Sequence, residues 1–78
     1  MEFTIQCENK LNHTRKRMVQ EILFSFDYGW RDSGKVVKKY DNLFFKVDTD
    51  TKRIVCSNIR FASNLTELEF LASPTIYL

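Results

Sequence analysis

Histidine is nearly absent from this chain: His13 is the single one in 78 residues. Metal centres built on imidazole and thiolate need several ligands at short spacing, and Cys7 and Cys56 lie 49 positions apart, so no metal signature is present. A nucleophile needs an orienting base beside it, and only a coincidence of the fold would bring His13 to Cys7. Glycine is scarce as well. Gly29 and Gly34 stand alone, and neither opens a helix, which excludes a glycine-rich phosphate loop. Asp41, Asp48 and Asp50 could pair as carboxylates, but turn aspartates have a sufficient role in bonding to their own backbone. No cofactor and no enzymatic activity is therefore expected.

Long apolar runs are missing too. No stretch approaches the ~18 residues of a membrane span, and no basic-then-apolar leader opens the chain. A soluble, cytosolic protein with no membrane partner is expected. With two cysteines at most one disulfide could form, and each sits in an alternating apolar run, where a reduced thiol serves as a small core residue. Asn12-His13-Thr14 and Asn64-Leu65-Thr66 match the glycosylation sequon, but without a secretion signal they are read as chance.

Aromatic residues, by contrast, are abundant: seven Phe, three Tyr and one Trp. They allow a chain this short to bury a core and argue against disorder. One domain spanning residues 1–78 is expected. The net charge of +2 is too small to name a nucleic-acid partner. Its distribution is uneven, however: Lys10, Arg15, Lys16 and Arg17 form one basic cluster, and Lys35, Lys38 and Lys39 another. Together they could make a basic face, or only a solvated helix turn and a lysine-protected edge strand.

The periodicity changes along the chain. Residues 2–8 alternate, with Phe3, Ile5 and Cys7 on one side, as a half-buried strand does. From 13 to 27 the spacing is helical, with Val19, Ile22, Leu23 and Phe26 at i, i+3, i+4 and i+7. Asn12 or Thr14 is expected to cap that helix, and Gly29 to take the left-handed position after its last turn. Phe24 lies off the stripe, either packed by a neighbouring segment or left as a contact residue. A turn at 32–35 then leads to strands at 36–40 and 43–48, joined by a tight Asp41-Asn42 loop. A further turn at 49–52 precedes a strand at 53–57. Residues 66–71 alternate well enough for a strand, but Thr66 and Glu69 form a capping-box pattern, which favours a short helix there, ended by Ser73-Pro74. The fold class is α+β: an antiparallel sheet of about four strands with one main helix on one face, in the order β-α-β-β-β-α.

Binding is the function that this leaves. Phe24, Tyr28, Trp30 and Tyr40 are aromatics that the core need not absorb, and such residues anchor interfaces. Arg15, Lys16 and Arg17 would steer an acidic partner towards them. A free sheet edge could also pair with another chain, including a second copy. The alternative is RNA or single-stranded nucleic acid on the basic face of Lys10, Arg15, Lys16, Arg17, Lys35, Lys38 and Lys39. Tyr40, Phe44 and Phe45 interleave there with lysines and could stack bases.

The segment Val19-Gln20-Glu21-Ile22-Leu23-Phe24, followed by Tyr28-Gly29-Trp30, resembles a pattern recurring in small accessory proteins of tailed bacteriophages. The closing Leu65-Thr66-Glu67-Leu68-Glu69-Phe70-Leu71 is similar to theirs as well. This is a likeness of fold rather than of chemistry, and it implies no catalytic residues. It implies an early, host-takeover or counter-defence protein. Such a protein would act in the bacterial cytoplasm by stoichiometric binding, inhibiting or modulating a host or defence protein such as a toxin or nuclease.

Overall fold

In a computed structural model, which describes residues 1–7, 12–60 and 63–78, the chain is α+β with one main helix. The elements are β1 (Glu2–Gln6), α1 (His13–Ser25), β2 (Gly29–Trp30), β3 (Phe44–Asp48), β4 (Arg53–Ser57), β5 (Asn64–Thr66) and α2 (Glu67–Ala72). One turn of 3-10 helix, Pro74–Ile76, follows. Five strands form a single mixed sheet in the order β2-β4-β3-β1-β5. The central ladders are antiparallel, with Ile5 opposite Phe45 and Phe45 opposite Cys56. Both outer ladders are parallel, β5 on β1 and β2 on β4. The expected purely antiparallel sheet of about four strands is thus corrected to five strands with parallel edges. The two strands that make the difference are two and three residues long, too short to carry a readable alternation.

Alternate strand residues build the core. Phe3, Ile5, Cys7, Phe45, Val47, Ile54 and Leu65 cluster with Val19 and Leu23 of α1 and Phe70 of α2. Removing side chains of this size from water contributes about 1.5–3 kcal/mol each. The opposite face of the sheet carries Glu2, Lys46, Asp48, Arg53 and Val55, which line a groove open to solvent.

The helix buries a different stripe from the one its apolar residues mark. Its buried positions are Lys16, Val19, Gln20 and Leu23, while Ile22 and Phe26 are only partly buried against the core. Asn12 is the N-cap, its side chain accepting from the Arg15 N–H at 3.2 Å.

The C-terminus of α1 corrects the role expected of Gly29. The Tyr28 N–H donates to the Leu23 carbonyl and the Asp27 N–H to the Phe24 carbonyl. This is the paired-bond Schellman arrangement, in which the residue after the cap is left-handed. That residue is Asp27, at φ 68°; a short polar side chain tolerates the conformation better than most. Gly29 is instead buried in β2, where a Cβ would come within 3.3 Å of the Gly34 backbone. Its need is close approach, since Trp30 and Gly34 bridge there and Gly34 itself sits at φ 72°.

Residues 36–40 form no strand, and the Asp41-Asn42 hairpin loop is absent with it. A side chain explains this. The Gln20 carboxamide accepts from the Lys38 N–H at 2.7 Å and donates to the Lys38 carbonyl at 2.7 Å, supplying the two bonds that a neighbouring strand would have made. The expected turn at 49–52 and the capped short helix are both present, and the expected strand at 2–8 runs Glu2–Gln6, with residue 8 outside the described residues. Asp48 accepts from the Asp50 and Thr51 N–H groups in the turn before β4. Thr66 caps α2 by accepting from the Glu69 N–H at 3.2 Å, and Tyr77 and Leu78 pack on the core.

Candidate binding surface

The helix-to-strand junction proposed for binding is mostly interior. Tyr28 follows the Schellman turn, where its ring joins Leu23 in the core, and it is fully buried. Its hydroxyl is buried with no hydrogen-bond partner among the described residues. Burial, with Asp48 and Asp50 nearby, raises its pKa. Lys52 Nζ lies 4.8 Å from the centre of the same ring. Trp30 is 2% exposed; its indole N–H donates to Gln20 Oε1 at 3.1 Å, and Phe45 meets its ring edge-on at 5.6 Å. Phe24 and Tyr40 are half-buried against the core, Tyr40 lying 5.2 Å from Trp30. Burial thus removes Tyr28 and most of Trp30 from a contact role, and leaves Tyr40 and one flank of Phe24 accessible.

The two basic clusters are largely neutralised by their surroundings. Lys16 is buried, and its ammonium donates to the Tyr40 carbonyl. Arg15 reaches the buried Glu67 at 3.5 Å, Arg17 pairs with Glu21 at 3.1 Å, and Lys35 with Asp27 at 2.9 Å. Lys38 pairs with Asp32 and lies over the rings of Trp30 and Tyr40. Hydrogen bonds from Lys35 and Lys38 hold the Asp27 and Asp32 carboxyls below their usual range. Lys39 is exposed. Lys10 lies outside the described residues. A clustered basic face therefore does not assemble from the described members of this set, because each cluster folded beside acids or into the core.

The open face of the sheet presents cations that the sequence did not single out. A groove of about 450 Å³ runs over Val55 between Arg31, Lys46 and Arg53 on one hand and Glu2 and Asp48 on the other. Both of these acids have partners within the chain: Glu2 meets Lys46 at 3.1 Å, and Asp48 accepts two backbone N–H groups that keep its carboxyl below the usual range. Arg31 and Arg53 are exposed, and neither has a carboxylate partner among the described residues. The parallel β2–β4 ladder, with Gly29 opposite Arg53, brings these two guanidiniums to one surface. Planar guanidinium groups bind carboxylate or phosphate through paired N–H bonds.

Burial raises the Cys7 and Cys56 thiols to about 12, so both are protonated and unreactive at neutral pH. Among the described residues no group of three or more His, Cys, Asp or Glu side chains could hold a metal ion. No helix among them is long and apolar enough to cross a membrane. Compared with protein-family models, curated proteins and solved structures, the chain matches none.

Proposed function

We propose that the chain is a non-enzymatic binding protein that inhibits or modulates a bacterial host or defence protein, such as a toxin or nuclease, by direct contact. The observation that carries the binding reading is the groove in which Arg31 and Arg53 make no ion pair among the described residues, while Glu2 pairs with Lys46 and Asp48 accepts backbone N–H groups. Guanidiniums so placed beside Val55 suit an acidic protein surface, and the charge steers its approach. The bacterial target, the phage origin and action in the host cytoplasm rest on the likeness of sequence to phage accessory proteins.

Tagged full-length chain captured on resin from bacterial lysate is expected to retain one defined protein near one-to-one. Arg31→Glu with Arg53→Glu should abolish that retention, whereas Arg17→Glu should leave it in place. Retention indifferent to both groove substitutions would remove this surface from the function. RNA or single-stranded DNA is the alternative, and it predicts affinity falling steeply with salt. The neutralised basic clusters give it less support than the arginine groove gives to an acidic protein.

A further inference from the structure

β4 is flanked on its outer side for only part of its length. Gly29 and Trp30 pair with Arg53 and Ile54, the Arg31 N–H reaches the Ile54 carbonyl at 3.1 Å, and the chain then turns back to the Trp30–Gly34 bridge. Past Ile54, no strand of the described residues lies beside β4 on the side away from β3. Backbone groups alternate in direction along a strand. The carbonyls of Lys52 and Ile54 both point outward, accepting from Gly29 and Arg31. Cys56, two residues on, therefore turns its own N–H and carbonyl the same way, and no described backbone group takes either.

A cleft of about 400 Å³ borders that edge, lined by Trp30 and Tyr40, by Ile54, Val55 and Cys56 of β4, and by Arg31 and Asp32, the last already paired with Lys38. Arg31 and Val55 also line the groove on the open face, so the two depressions share these residues as a border. Exposed edges are normally blunted with lysine, proline or a bulge. Val55, Cys56 and Ser57 carry no such residue, and their ladder to β3 runs without interruption.

We propose that residues 55–57 of β4 receive an extended segment of the protein partner as an added strand, with an acidic side chain of that segment against Arg31. The inference rests on the protein-binding reading above and specifies the form the partner takes. Main-chain bonds to Cys56 set the register, and side chains alternate between the Trp30–Tyr40 wall and the arginines of the open face. The segment it fits alternates apolar and acidic residues. A second copy of the chain fits poorly, because a symmetric contact uses the same patch twice. That patch is β4 itself, Arg53–Ser57, which has no acidic side chain to set against Arg31.

Residue-resolved NMR of the full chain tests this with three capped peptides. One alternates glutamate and valine, one alternates lysine and valine, and the third is the glutamate–valine peptide N-methylated at alternate residues. The acidic peptide is expected to slow Cys56 amide exchange about ten-fold or more and to shift residues 55–57 and the Trp30 indole. The other two peptides should do neither, and Arg31→Glu should transfer the preference to the lysine peptide. Equal binding of the N-methylated peptide, or no shift by about 1 mM, overturns the added strand. Shifts confined to Lys46 and Arg53 overturn it too, while leaving an acidic protein partner standing. Slowed Cys56 exchange on concentrating the chain alone would make a second copy the occupant. Oligodeoxythymidine displacing the acidic peptide with a steep salt dependence would remove both the strand and the protein-binding reading.

Discussion

The two sides of the β4–β2 edge treat polar groups in opposite ways. On the helix side, Gln20 is fully buried, and its carboxamide joins the Trp30 indole, the Lys38 backbone and the Lys16 carbonyl. On the open side, Arg31 and Arg53 are exposed and make no ion pair among the described residues. Burying a polar group costs free energy unless it is hydrogen-bonded, and this carboxamide is, so the first set is committed to structure. Solvent satisfies the second set at little cost, and that leaves it available to a partner. Clustering of charge in the sequence therefore says less than what the fold places beside each charge.

The strongest way to break this contrast is at Gln20. Gln20→Leu leaves the Trp30 N–H and both Lys38 backbone groups without their partner. Each buried orphan costs about 1–3 kcal/mol, and with Lys38 able to reach water in part, a loss of about 3 kcal/mol is expected. That is a large share of the stability of a small domain. Urea unfolding should show the midpoint falling with the slope unchanged, and a loss below about 1 kcal/mol would show that residues 36–40 are not held by this amide.

Much of the fold could be read from the sequence, for identifiable reasons. The 3.6-residue spacing of Val19, Leu23 and their neighbours reported α1, and Thr66 with Glu69 reported the start of α2, because each signal is local. The buried stripe was displaced because Lys16 and Gln20 are polar, and only tertiary partners make their burial acceptable. Residues 36–40 have the composition of a strand, yet the groups that bond Lys38 come from a helix side chain 18 positions away. The proposed binding residues moved for the same reason. Tyr28 directly follows a left-handed Asp27, two residues before the Gly29 expected to take that conformation, and its side chain is buried. Arg31 and Arg53 are 22 positions apart, and only the parallel pairing of a two-residue strand joins them.

Alkaline pH acts on the helix side through two thiols, one buried and one partly buried. The Cys7 and Cys56 thiols are raised to about 12 by burial, from an ordinary value near 8.5–9. For a pKa raised on folding, the stabilisation is complete below the unfolded value and is lost as pH rises through the folded one. The chain should thus lose stability between about pH 9 and pH 12, with Tyr28 contributing in the same direction. Denaturant midpoints measured across that range should fall, and Cys7→Ala with Cys56→Ala should flatten the slope even though it lowers the starting value. An unchanged slope would assign the alkaline loss to other groups.

Tyr28→Phe sharpens the boundary between core and surface. Its hydroxyl is buried without a partner among the described residues, so removing it relieves a desolvation cost and should stabilise the fold by about 1 kcal/mol. Affinity for the captured partner should not change. A loss of binding with the fold intact would return Tyr28 to the contact surface.

The smallest effect on stability is expected where the effect on binding is largest. Arg31→Ala and Arg53→Ala remove exposed side chains that make no ion pair among the described residues, and surface changes of that kind usually stay within about 0.5 kcal/mol. Either change alone relieves the mutual repulsion of the two guanidiniums, so the double variant should gain nothing further over the single ones. Thermal unfolding at low and moderate salt checks this, because any repulsion is screened as salt rises and the difference between the variants and the unaltered chain should shrink with it. If the double variant instead falls by more than about 1 kcal/mol, the arginines belong to the architecture of the sheet. The contrast between a committed helix side and an available open side would then be wrong.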